Sequence, residues 1–345
     1  MPSITSRDFG DTPHGPAQLF TLTNDRGDHV KITNYGGIIT SISVAATELV
    51  LGYDTLAPYL EDHPYFGALI GRYGNRIAHG KFTLDGETYH LPINNGEHTL
   101  HGGTDTFDKQ LWTAATVSEE DEVALVLTHV SPAGDQGFPG ELTVECRYGW
   151  SNAGELSLRY RATTTRDTVV NLTNHSYFTL GAAPTIEPLV LELTAPRYVP
   201  VDAGSIPLGH LEDVSGTPFD FRTAKPLGRD LRDDNPQLRI ANGYDHTLVL
   251  PPAAGAPRRF ATLTNPENGI RMVSLTTEPG VQLFTANFDP GQFTRRDGSP
   301  LPRYAAVCLE TQHYPDSPNR PEFPSTRLNV GEIYNTTTVY RFERG

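Results

Sequence analysis

The chain has 345 residues and a net charge of −14, a length at which two domains or one unusually large sheet sandwich is expected, and an acidic field without a basic run, which argues against nucleic acid as a partner. Charged residues at 20% and apolar residues at 37% are ordinary for a folded protein and exclude disorder. No run of 18 apolar residues offers a membrane span and no basic, then apolar leader opens the chain, so a soluble, cytoplasmic protein is expected.

Glycine (32) and proline (28) recur at short intervals and leave few windows long enough for a helix, so strands are the default. In chain order, HVKITNYGGIITSISVA (29–45) comes first, then KFTL and ETYHL (81–91), joined by Asp85-Gly86, which supplies the two positive-φ positions of a type I′ turn. EVALVLTHV (122–130), LTVECRYGW (142–150) and ELSLRYRATTT (155–165) alternate apolar and polar residues, with Ser151 to Gly154 as a hairpin loop between the last two. LVLELTA, GIRMVSLTTE, VQLFTANF, AAVCLETQHY and TTTVYRF follow as further strands, and 202–236 and 251–259 read as long loops. Strands from end to end, with no alternating strand and helix, predict an all-β protein: one large antiparallel β-sandwich domain over 1–345 with little helix. Cys146 and Cys308 read as small buried side chains of a reducing compartment.

Two segments carry titratable groups in apolar surroundings. In VVNLTNHSYFTL (169–180) a period of two puts Asn171, Thr173 and His175 on one face and Val170 and Leu172 on the other. In AAVCLETQHY (305–314) it puts Cys308, Glu310 and Gln312 opposite Val307 and Leu309. A buried carboxyl and a histidine together suit acid–base chemistry near neutral pH, although by period alone each is as well explained as a hydrogen-bonded structural residue. His98 and His101 fall on opposite faces of a strand with no nearby cysteine or HExxH pattern, so no metal is expected. The segment Gly71 to Arg76 lacks a phosphate-cradling pattern and reads as a tight turn with surface arginines. No GxSxG elbow occurs.

Eight segments, in order, resemble the galactose mutarotases, or aldose 1-epimerases: NYGGIITSI, GRYGNRIAHGKFTLDGETYHL, NNGEHTLHGG, DQGFPG, NLTNHSYFTL, NGYDHTLVL, EPGVQLFTANF and ETQHYPDSPNRPEFPSTRLNVGEIY. The resemblance implies a large β-sandwich that opens and closes the ring of a free monosaccharide such as galactose or glucose without a cofactor or metal. It also implies His175 as general acid, Glu310 as general base, and Asn75, Arg76, His101, Tyr177, Asp245 and Gln282 as sugar-binding residues. Whether the chain is a monomer or a homodimer stays open. A hexose-6-phosphate epimerase would need an arginine cluster, for which Arg72, Arg76 and Arg320 are the candidates. A glycoside hydrolase would use Asp245 as a second carboxylate, and a sugar-binding module would need no acid–base pair.

Overall fold

The computed structural model describes residues 1–61 and 63–344. Strands dominate it; the α-helices among the described residues are the short Ala57–Leu60 and Pro236–Ala241, neither long nor apolar enough to cross a membrane.

Three large antiparallel sheets make up the body. Ser3–Thr12, Gly15–Thr23, His29–Thr33, Ile39–Val44 and Thr47–Glu48 form a meander in chain order. A nine-stranded sheet begins with Thr113–Ser118, Glu122–Ser131, Leu142–Ser151 and Glu155–Thr164, each paired to the next. The last strand of the chain, Tyr334–Glu343, then enters between Glu155–Thr164 and Arg271–Thr276. The expected alternation is visible in Leu142–Ser151, where Leu142, Val144, Cys146, Tyr148 and Trp150 are buried while Thr143 and Glu145 are exposed. Burying each large apolar side chain of this kind is worth about 1.5–3 kcal/mol. That face packs into a continuous core with Leu22, Val30 and Ile42 of the meander and Leu248, Leu283 and Leu309 of the third sheet. The third sheet runs Glu212–Asp213, Arg197–Tyr198, Asp245–Val249, Gly280–Phe284, Cys308–Gln312. Asp85 and Gly86 adopt φ of 52° and 80°, as the tight hairpin turn requires.

Two expectations change. The segment 169–180 is not a half-buried strand: only Thr168–Val169 and Thr173–Asn174 pair as strands, and every residue from Thr168 to Leu180 is buried. It threads between sheets, pairing with Leu69–Ile70 and bridging Val50 and Val307 at Phe178. Its asparagines replace the missing ladder, with Asn171 Nδ2 donating to the Gly74 carbonyl at 3.0 Å and Asn174 Nδ2 to that of Gly67 at 2.9 Å. The segment Gly71 to Arg76 is not a surface turn with exposed arginines either. Arg72 is buried, and its guanidinium donates to the carbonyls of Ser131, Pro132, Pro139 and Gly140 and to Ser131 Oγ. Carbonyl dipoles stand in for a counter-ion, and the arginine staples two loops together.

Candidate active site

Strand register in the third sheet sets one wall of a cleft. Gln282 lies directly opposite both Thr247 and Glu310, so the three side chains share a face. Thr247 Oγ1 donates to Gln282 Oε1 at 2.6 Å, and Gln282 Nε2 donates to Asp245 Oδ1 at 2.7 Å, which orients the Asp245 carboxylate. Beside the edge strand Cys308–Gln312, the threaded segment delivers His175. Its backbone N–H donates to the Ala68 carbonyl at 2.9 Å and its carbonyl accepts from Gly67 N–H at 3.0 Å. His175 Nε2 then stands 3.6 Å from Glu310 Oε1.

A third segment closes the cleft. Arg76 pairs with Leu100 across a two-residue ladder, Asn75 N–H donates to His101 Nδ1 at 3.2 Å, and His101 N–H donates to the Asn75 carbonyl at 3.1 Å. Asn75, His101 and neighbouring Tyr65 all have φ near +60°, at 64°, 54° and 60°. A non-glycine residue held there costs about 1–3 kcal/mol, and the reciprocal Asn75–His101 clamp holds two of them. The cleft has a volume of about 150 Å³, with Tyr65, Phe284 and Phe288 as apolar walls and Asn75, Arg76, His101, Asp245, His175 and Glu310 as its polar lining.

Burial decides the protonation pattern. It pushes the Glu310 carboxyl well above the usual range, Asp245 pushes the same way, and Arg76 opposes. Burial lowers His175 to about 3 against the opposing pull of its own carbonyl, with the charge of His63 adding to the lowering. His101 falls well below its ordinary value by burial, aided by the charges of His175 and Arg76. Both groups of the 3.6 Å pair thus resist charge, so a protonated Glu310 carboxyl faces a neutral His175 imidazole. Ligand-capable atoms of His101, His175 and Glu310 lie within 4.8 Å of one another, close enough to suggest a metal. The hydrogen bonding points elsewhere: because His101 Nδ1 accepts from a backbone N–H, its own proton sits on Nε2. That nitrogen is a donor suited to a sugar oxygen, where a metal would need a lone pair.

The profile of the aldose 1-epimerase family matches residues 18–341. The chain belongs to that family. Galactose mutarotase of Bos taurus is 41% identical over 99% of both chains, and aldose 1-epimerase of Escherichia coli K12 is 35% identical over 95% of both. The crystal structure of galactose 1-epimerase from Lactobacillus acidophilus NCFM superposes with a TM-score of 0.91 at 26% identity, covering all of both chains.

Within this aldose 1-epimerase fold, the residues expected from sequence come together, with Gln282 behind the open space and the Tyr177 hydroxyl turned to a backbone carbonyl. Asn75, Arg76, His101, His175, Tyr177, Asp245 and Glu310 line the cleft. The Tyr177 hydroxyl is committed to the Pro64 carbonyl at 2.8 Å, and its ring stacks on His175 at 4.9 Å and 15°, so it supports the imidazole. Gln282 reaches the cleft through Asp245, with its amide spanning Thr247 and Asp245. Arg76 lies between two spaces, its Nε donating to Asn95 Oδ1 at 3.1 Å and its Nη1 3.9 Å from Asp245 Oδ2. Sequence reasoning did not single out Tyr65, Phe284 or Phe288, and it read Cys308 only as a small buried side chain on the face of Glu310. Phe284 and Phe288 stand in VQLFTANF, where their spacing reads only as strand and loop, and Tyr65 carries no local signal beyond its ring.

Proposed function

We propose that this protein interconverts the α and β anomers of a free hexose such as galactose, with Glu310 as general base and His175 as general acid. The observation that carries the proposal is a buried histidine and glutamate facing each other at 3.6 Å in a small cleft lined by hydrogen-bonding groups. That separation is too long for a direct hydrogen bond, so each side chain turns toward a space that substrate oxygens can fill. The carboxyl proton of Glu310 first passes to His175 Nε2, directly or through a sugar oxygen; the carboxylate then removes the proton of the C1 hydroxyl while the imidazolium protonates the ring oxygen, each at about 2.6–3.2 Å from its partner. The aldehyde rotates about C1–C2, and the ring closes on its other face with the proton transfers reversed. Asn75, Arg76 and His101 donate to hydroxyls, Asp245 accepts from them, and the His101 N–H stabilises negative charge developing on an oxygen as the ring opens.

A free sugar fits better than a sugar phosphate. Of the three arginines a phosphate would call on, Arg72 is spent on carbonyls, and Arg320 is held by Asp316 at 3.1 Å beside a neighbouring groove, which leaves Arg76. The free thiols of Cys146 and Cys308 accord with a cytoplasmic location.

Polarimetry tests the reading. Fresh α-D-galactose should approach its final rotation faster with catalytic wild-type protein than in matched buffer, and His175→Ala or Glu310→Gln should remove about 10²–10⁴ of that rate. Activity of Glu310→Gln within tenfold of wild type overturns the assignment of the base. Release of reducing sugar from a glycoside would instead mark a hydrolase.

A further inference from the structure

His101 and His175 share the cleft with ring centroids 5.3 Å apart, yet their Nδ1 atoms face opposite chemistry. Nδ1 of His101 meets a donor, the Asn75 backbone N–H at 3.2 Å. Nδ1 of His175 meets the sulfur of Cys308 at 3.5 Å. Cys308 stands two residues before Glu310 on the same strand and the same face, so one strand sets groups against both nitrogens of the ring: the carboxyl at Nε2 and the thiol at Nδ1.

An imidazolium that gives its Nε2 proton to the ring oxygen of the sugar becomes a neutral ring that keeps its Nδ1–H. In a buried site that N–H needs an acceptor, because an unmet donor carries its full desolvation cost. We propose that Cys308 is a positioning residue: its sulfur accepts the Nδ1–H of His175, keeps Nε2 aimed at Glu310 and the substrate, and leaves the imidazolium strongly acidic because the acceptor is weak and uncharged. The inference rests on the acid role given to His175 above.

The chemistry of the partner matters. A carboxylate behind Nδ1, as in a Ser-His-Asp triad, stabilises the imidazolium and raises its hold on the proton. A thiol sulfur is a weak acceptor and does so little. Burial first, then the charges of Glu310 and Asp245, push the Cys308 thiol up, so it stays uncharged. The His175 carbonyl favours a proton on the ring, against the effect of burial. The other titratable groups around the ring are Glu310, His101, His63, Tyr65 and Tyr177. A purely structural role is the competing account, since Cys308 also packs with Tyr177, Ala286 and Ala305 in an apolar cluster.

Side-chain ¹⁵N NMR of the labelled protein without substrate separates the two accounts, beside pH profiles of kcat for wild type, Cys308→Ser and Cys308→Ala. In wild type, His175 should carry its proton on Nδ1 and His101 on Nε2, opposite tautomers in one spectrum. Cys308→Ala should move part of His175 to the Nε2–H form and lower kcat about tenfold, the worth of one hydrogen bond, with KM within twofold. Cys308→Ser, nearly the same size and a better acceptor, should keep Nδ1–H and move the acidic limb of kcat to higher pH; it also carries the test should the alanine variant fail to fold. An Nε2–H tautomer at His175 in wild type overturns the proposal. So does a Cys308→Ser variant with an unmoved pH profile, or a folded Cys308→Ala variant with wild-type tautomer and profile. The tautomers are read without turnover, so loss of the ring-opening reading, seen as wild-type protein that does not accelerate mutarotation, is a distinct result.

Discussion

Two histidine–glutamate pairs lie at the strand Cys308–Gln312, a buried one at Glu310 within it and one at the half-buried His313 just past its end, and they behave in opposite ways. His313 Nδ1 sits 2.7 Å from Glu278 Oε2, and Tyr334 Oη donates to the other Glu278 oxygen at 3.3 Å. Burial works against a proton on His313, but the charge and hydrogen bond of Glu278 outweigh it and its pKa rises. In the cleft, His175 and Glu310 stand 3.6 Å apart, Glu310 Oε2 has no hydrogen-bond partner among the described residues, and burial drives both groups toward neutrality. The lesson is that contact decides. A closed pair locks its proton in and serves as a fastener: the backbone N–H of His313 donates to Asn171 Oδ1 at 3.0 Å, tying the threaded segment to the end of the strand that carries Glu310. An open pair of the same residue types leaves its proton uncommitted and a space for substrate oxygens.

Removing carboxylates one at a time breaks this comparison most directly. Beyond the single losses of about 10²–10⁴ already given, the double variant His175→Ala/Glu310→Gln should be no slower than the worse single, because groups that act as a unit are not additive. Rate losses that multiply in the polarimeter would mean the two act independently. Glu278→Gln should show the reverse profile: about 3–5 kcal/mol of stability lost, as when one partner of a buried ion pair is removed, with kcat within tenfold under conditions where the protein is folded. Urea denaturation beside polarimetry reads both, and an unchanged midpoint with collapsed activity would reverse the roles of the pairs.

The pH dependence separates the pairs by sign. His313 has a raised pKa, so its contribution to stability is full below the unfolded value near 6.5 and is lost as pH rises through the folded value; His313→Gln should flatten that decline. His175 is lowered to about 3, so below pH 6.5 the unfolded chain binds a proton that the native state refuses. Stability therefore falls as pH drops from about 6.5 toward 3, and His175→Ala should remove that part of the slope. Urea midpoints across pH decide, and slopes of the same sign at both sites would undo the contrast. The smallest effect is expected from Tyr334→Phe, which removes one hydrogen bond to the closed pair: about 0.5–1.5 kcal/mol of stability, with kcat within twofold. A larger change in rate than in stability would show that the closed pair reaches into the chemistry.

Much of the fold was legible because a period of two records which side chains face inward. Val144, Cys146 and Tyr148 declare the buried face of their strand, and Asp85-Gly86 declares its turn. The motifs around His175 and Glu310 named the site residues by resemblance, and the cleft brings them together. The threaded segment 169–180 misled the same rule, since period describes one exposed and one buried face and this segment has neighbours on both. Arg72 misled it too, because nothing in a short glycine-rich run tells that four carbonyls from 131–140 will surround it.

By itself, then, the sequence determined the all-β class, the inward faces and the family, since these rest on local spacing and residue type. Only the tertiary structure decided that Glu310 would stand open beside His175 while Glu278 closes on His313, and that Nδ1 would face a backbone N–H at His101 but a thiol at His175. Those differences are distances of an ångström or less between segments far apart in the chain. They are set by strand register and by what covers each segment, and neither is written in a residue's immediate neighbours.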